Sequence, residues 1–110
     1  MARVKRILYA GGSFLTGDGI ADAVLDYAAE LANAGKAAKL DVPALDLEQR
    51  PELVSLLVGP ASQILAEPVS LGQEIDDETF TAQLRRKTRV LQSKMGTGGD
   101  GGDASAFAAL

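Results

Sequence analysis

The residues most suggestive of chemistry form the glycine-rich stretch Ala10–Gly19, AGGSFLTGDG, between an apolar run and an amphipathic segment. A glycine-rich loop in that position binds phosphate in many proteins, because backbone N–H groups at a helix N-terminus attract anions. Gly12 and Gly17 have the spacing of the two P-loop glycines, but Asp18 stands where that motif requires lysine. We therefore interpret the stretch as a structural turn, with Asp18 as the N-cap of the following helix. A small-molecule or nucleotide site at Gly11–Gly19 is the alternative.

Four acidic residues then recur at intervals of four: Asp18, Asp22, Asp26 and Glu30. On a helix this spacing forms one stripe, in which like charges cost a few tenths of a kcal/mol per pair unless something offsets them. Oxygen ligands suit magnesium or calcium, but a straight stripe does not converge enough oxygens on one ion. A solvated outer face is the favoured interpretation, and no metal or other cofactor is predicted.

A cationic cluster of opposite sign occupies a later segment, at Arg85, Arg86, Lys87, Arg89 and Lys94. Together with acidic residues at 76–78, these cations complement the dipole of a helix. Weak nucleic-acid binding is an alternative, disfavoured by the net charge of −4 and by the absence of aromatic residues among the cations. A third interpretation pairs the cluster with the acidic stripe, within one chain or across a homodimer. Arg85, Arg86 and Arg89 are therefore candidate partner-binding residues.

The chain contains no histidine and no cysteine, which disfavours an enzyme. Histidine is the usual general base near neutral pH, and both residue types are common metal ligands. No apolar run approaches the ~20 residues that span a bilayer. The N-terminal MARVKR lacks the apolar core of a secretory signal. We expect a cytoplasmic protein without a membrane partner.

Hydrophobic periodicity predicts six elements in the order β-α-β-β-β-α. They are strands at Val4–Tyr9, Ala38–Pro43, Leu53–Val58 and Gln63–Val69, and helices at Gly19–Ala34 and Asp76–Met95. Asp76 is the predicted N-cap of the second helix, Ile75 and Phe80 are its hydrophobic staple, and Gly96 ends it. Pro68 places the fourth strand at a sheet edge, and a short helix from Pro60 is the alternative for this segment.

These elements predict an α+β fold with a single small domain over residues 1–95. Two amphipathic helices cover one face of a four-stranded mixed sheet. The first strand–helix–strand unit is expected to be a right-handed crossover between parallel strands. The continuous apolar run Leu53–Val58 favours a central strand.

Residues 96–110 are predicted to form a disordered, glycine-rich tail with an apolar tip at Phe107, Ala108, Ala109 and Leu110. Such a tip, next to a terminal carboxylate, is typical of a docking peptide or a degradation signal. In layout alone, the tail resembles those of bacterial single-stranded DNA-binding proteins and encapsulin cargo, where a flexible linker ends in an apolar docking peptide. The sequence thus predicts a small non-enzymatic interaction or adaptor module with a protein partner.

Overall fold

The structure is a computed structural model and describes residues 2–46, 48–71 and 75–98. Within those residues, five strands and two helices follow one another along the chain. The elements are β1 (Ala2–Tyr9), β2 (Gly12–Gly17), α1 (Asp18–Ala34), β3 (Ala38–Leu45), β4 (Pro51–Val58), β5 (Ile64–Leu71) and α2 (Glu78–Gly98). The α+β class is confirmed. The predicted count of four strands is wrong, because β2 adds a fifth.

The additional strand occupies most of the predicted glycine-rich loop. Ala10 and Gly11, with φ of 53° and 82°, form the turn of a hairpin in which β2 runs antiparallel to β1. Alternate residues of β2 then face the helices, so that Phe14 packs against the core and Thr16 is buried. Three glycines within eight residues concealed this short strand, since glycine is depleted in strands.

The sheet has the order β4-β3-β2-β1-β5, and each of its pairings is antiparallel. The predicted mixed sheet and parallel crossover are therefore wrong. Because β2 follows β1 as a hairpin, α1 connects β2, rather than β1, to β3. The strands β2 and β3 are antiparallel neighbours that pair at Leu15 and Leu45. The predicted central position of Leu53–Val58 is also wrong, since β4 lies at one edge. The strand and edge position predicted at 63–69 are confirmed by β5.

The core lies between the helices and one face of the sheet. Ile20, Val24, Tyr27 and Leu31 recur every three or four residues on α1 and form its buried face. They belong to one cluster with apolar side chains of β3, β4 and α2, namely Leu40, Val42, Leu56, Val58 and Leu84. Burial of this shared face fixes α1 across the sheet and thereby determines where its acidic stripe lies.

The helix ends differ from the predicted caps. Gly17 is the N-cap of α1 without a side-chain cap bond, so the cap predicted at Asp18 is wrong. A Cβ atom on Gly17 would collide with the carbonyl oxygen of Ile75, which only glycine lets approach so closely. In α2 the Asp77 carboxylate, not Asp76, accepts the N–H of Phe80 at 3.0 Å. α2 continues through Gly98, beyond the end predicted at Gly96.

The connection between β3 and β4 is organised by Asp46. Its carboxylate accepts the backbone N–H groups of Glu48 at 2.8 Å and Arg50 at 2.9 Å. The bond from Arg50 is the main cause that lowers the pKa of Asp46 below its usual value of 3.8. This turn returns the chain along β3 and sets β4 in register with it as the outer strand.

Candidate interaction surfaces

The N-terminal half of the acidic stripe is bound by Lys5 of β1. The Lys5 ammonium donates to the Asp22 carboxylate at 2.8 Å and lies 3.1 Å from that of Asp18. Hydrogen bonds to Asp22 and then Asp18 raise the pKa of Lys5 above its usual 10.5. One cation thus offsets two carboxylates where α1 begins.

The C-terminal half of the stripe faces α2. Arg85 lies 2.6 Å from the Asp26 carboxylate, and the Gln92 amide donates to Glu30 at 3.1 Å. Asp22 and Asp26 are 47% and 59% exposed, as expected for an outer face, and the structure also shows the pairing of the stripe with α2 within one chain. Arg85 and Asp26 are 39% and 59% exposed, so their ion pair adds specificity more than stability.

Three further cations of α2, Arg86, Lys87 and Arg89, lie on two sides of its buried stripe, which contains Leu84 and Thr88. Arg89 lines a groove with Arg85, Asp26 and Glu30. On the other side, an open groove of about 570 Å³ has Tyr27, Val90 and Leu91 as apolar lining and Gln83, Arg86 and Lys87 as polar lining. Neither Arg86 nor Lys87 makes an ion pair or side-chain hydrogen bond among the described residues. Of the three arginines predicted to bind a partner, the structure thus places Arg85 and Arg89 in one groove and Arg86 in the other.

Gly11 and Gly12 of the predicted loop line a different feature, an open cleft of about 1060 Å³ beside the β1–β2 turn. The Tyr9 hydroxyl in this cleft donates to the Leu57 carbonyl oxygen and lies 3.3 Å from the Ser62 hydroxyl, which itself accepts the Gly59 N–H at 2.9 Å. No residue lining the cleft within the described ranges carries a charge. The hydrogen bond from Tyr9 links β1 to β4. The described lining of the cleft contains no cation that could bind an anion.

The strand predicted at Leu53–Val58 is present as β4 (Pro51–Val58), but its exposed face was not predicted. Leu53 and Leu57 are 69% and 67% exposed, while Leu56 and Val58 on the opposite face are buried. This alternation is the period-2 pattern of a strand with one covered face. In the sequence, the signal of this exposed face is Ser55, which lies between Leu53 and Leu57 at strand spacing, and the apolar residues around it concealed that signal.

The described ranges contain few side chains that are arranged for catalysis or for metal binding. Residues 2–46, 48–71 and 75–98 hold no group of three or more residues able to ligate a metal, and every buried polar side-chain atom there is hydrogen-bonded. The hydroxyl of Thr16, for example, donates to the Pro43 carbonyl at 2.6 Å. Neither described helix is both long and apolar enough to cross a membrane. Residues Phe107–Leu110 of the tail lie outside the described residues.

No protein-family model matches the chain, and comparison with curated proteins and with solved structures finds no significant similarity.

Proposed function

We propose that this chain is a small non-enzymatic protein-interaction module, with one side of α2 as its contact surface. The observation that supports this is the groove in which Arg86 and Lys87 flank Val90, an apolar side chain that is 48% exposed. Arg85 is already paired with Asp26, whereas these two cations have no partner among the described residues. Exposed apolar surface with a charged rim is typical of protein interfaces.

The chemistry of the groove favours an acidic partner with a protruding apolar side chain. An apolar group would pack between Tyr27 and Val90, while carboxylates at the rim would meet Arg86 and Lys87. Such rim charges mainly accelerate association and select partners. Aromatic stacking on this side is limited because Tyr27 is 8% exposed, which disfavours the alternative of single-stranded nucleic acid.

The charge-reversal variant Arg86→Glu with Lys87→Glu tests this surface. The immobilised chain is expected to retain a protein from a lysate of its native host, and the variant is expected to lose it, with the loss measured by quantitative mass spectrometry. Lys36→Glu is the matched control, since it reverses an exposed cation elsewhere. Equal retention by all three proteins would contradict a role for this groove.

The C-terminal segment Phe107–Leu110 is the second element of the proposal, as a docking or degradation tail. Its deletion is expected to leave the melting temperature unchanged while it removes a bound protein or lengthens cellular half-life. A melting temperature several degrees lower would instead indicate that the segment packs on its own domain, and the partner role of the tail would be wrong.

The alternatives are tested by direct binding. DNA is expected to bind no tighter than ~100 μM at physiological salt, within the non-specific range. A salt-sensitive submicromolar gel shift that Arg85→Ala with Arg86→Ala abolishes would favour a nucleic-acid binder. Micromolar binding of ATP or NAD in calorimetry would favour a nucleotide site near Gly11.

A further inference from the structure

The outer strand β4 exposes a long apolar edge. It has eight residues, and its outer side faces no other strand within the described part of the chain. Glu52 is its one charged residue, and its one proline, Pro51, stands at the first position. Unpaired N–H and C=O groups along such an edge pair readily with another strand.

The opposite edge, β5, has the features that block such pairing. Pro68 stands inside the strand and removes one backbone donor. The neighbouring Glu67 forms an ion pair with Arg6 at 2.7 Å, which places charge on the exposed face. Proline and charged side chains are the usual protection of edge strands. Because β4 has no internal proline and no charged residue after Glu52, its edge is open to pairing with another strand.

We propose that β4 pairs in antiparallel orientation with β4 of a second copy of this chain, in a register centred on Ser55. The two sheets then form one continuous sheet around a two-fold axis. This inference does not depend on the proposed role of α2, because the axis passes through a different edge of the molecule.

The self-complementarity of β4 selects a second copy and this register. With Ser55 opposite Ser55, Leu53 lies opposite the partner's Leu57, and the reciprocal pair forms by symmetry. Directly opposed side chains in an antiparallel pair lie close enough to pack, so both exposed leucines gain an apolar neighbour. Registers centred on Val54 or Leu56 would instead place one leucine of each strand opposite Ser55.

The charges near the axis do not oppose this pairing. Glu52 lies opposite the partner's Val58, so no like charges are directly opposed. The nearest acidic residue across the sheet is Asp41, whose carboxylate accepts the Ser55 hydroxyl at 2.7 Å. The two copies of Asp41 would be separated by three strand spacings, roughly 14 Å, where salt screens their repulsion.

The experiment is sedimentation velocity on the full chain over a range of concentrations. The wild-type protein is expected to sediment as a dimer that dissociates on dilution, and Leu53→Lys with Leu57→Lys as a monomer at all concentrations. Leu65→Lys is the matched control, because Leu65 is 55% exposed but lies on β5, and it is expected to remain dimeric. A wild-type monomer at high micromolar concentration, or a dimer that survives the double substitution, would overturn the proposal.

A cysteine variant tests the register without depending on the fold of the lysine variant. The chain has no cysteine, so Ser55→Cys introduces a single thiol at the proposed axis. Mild oxidation or a short bismaleimide is expected to crosslink this variant into a covalent dimer, while Ser70→Cys, an exposed position on β5, stays monomeric on a denaturing gel. Equal crosslinking of both variants, or of neither, would refute the Ser55 register. A dimer lost on deletion of residues 99–110 would assign the association to the tail.

Discussion

The acidic stripe of α1 and the exposed leucines of β4 differ in whether the fold provides them with a partner. Each carboxylate of the stripe has a partner from another element: Lys5 serves Asp18 and Asp22, Arg85 serves Asp26, and Gln92 serves Glu30. In β4, by contrast, Leu53 and Leu57 project from the uncovered face of an edge strand. The carboxylates that suggested a binding site in the sequence are paired within the chain, and the leucines that suggested a buried strand are exposed.

This difference indicates where the molecule is available for contact. An ion pair between elements stabilises their arrangement and leaves little charge for a ligand. A largely exposed leucine retains most of its free energy of burial for a later association, about 25 cal/mol per Å² of apolar surface that is still exposed. Variants in the two regions are therefore expected to affect different quantities, stability in the first and association in the second.

A large loss of stability is expected for Gly17→Ala, at the start of α1. Its Cβ atom would meet the carbonyl oxygen of Ile75, so that the helix or the segment before α2 must shift, at a cost of about 3 kcal/mol. Gly19→Ala is the matched control, because no atom lies within 4 Å of its added Cβ, and it is expected to be neutral or slightly stabilising. Urea denaturation measures both, and an equal effect at the two positions would refute the close approach.

A smaller loss, about 1 kcal/mol at neutral pH, is expected for Lys5→Met, which leaves Asp18 and Asp22 without a cation. Because the folded state raises the pKa of Lys5 above 10.5, its contribution is present below that pH. It is lost as the pH rises through the higher folded value. The free energy of unfolding should therefore fall less steeply above pH 10.5 in Lys5→Met than in the wild type.

Lys36→Met, at an exposed position, serves as the control for that pH series, since the ammonium group that it removes has no partner among the described residues. Its alkaline decline should match that of the wild type. If the Lys5→Met and Lys36→Met profiles coincide, the ion pairs of Lys5 do not contribute to stability.

Within α2, Arg85→Ala is expected to lower the free energy of unfolding by about 0.5 kcal/mol, through loss of the exposed pair with Asp26. Arg86→Ala, one position along, should leave stability unchanged, because Arg86 has no partner among the described residues. Added salt should reduce the difference between the variants. A larger effect for Arg86→Ala would place that side chain in a contact within the fold.

The smallest effect on monomer stability is expected for Leu53→Ser with Leu57→Ser, because both side chains are mostly exposed. The measurement is urea denaturation at a concentration where the chain is monomeric, with Leu56→Ser as the contrasting variant. Leu56 is 6% exposed in the core cluster, and its substitution should be strongly destabilising. Comparable losses in the two variants would show that the edge leucines are packed.

Several elements were predictable because their signals are local. The apolar period of α1 reflects its one buried face, and Gly35 ends it in the left-handed conformation that favours glycine. β1 and β5 were also predictable, with Pro68 indicating the edge position of β5. The predicted N-cap of α2 was one residue early, because Asp76 and Asp77 are chemically equivalent and only the backbone geometry distinguishes them.

Other features depend on residues that are distant in sequence. The strand β2 is stabilised by pairing with β1, which outweighs the low strand propensity of its glycines. Likewise, the apolar content of β4 did not reveal its place in the sheet, because β4 has no internal proline of the kind that marks β5 as an edge strand.

The sequence by itself determined the α+β class, both helices and the lack of histidine and cysteine chemistry, since these follow from composition and from periodicity within one segment. Only the tertiary structure decided that Lys5 offsets Asp18 and Asp22, and that Leu53 and Leu57 remain exposed. The physical reason is that ion pairing and burial depend on which elements become neighbours. In this chain the β1–β2 hairpin determines which elements become neighbours, because it sets the order of the sheet and leaves β4 at one edge of that sheet.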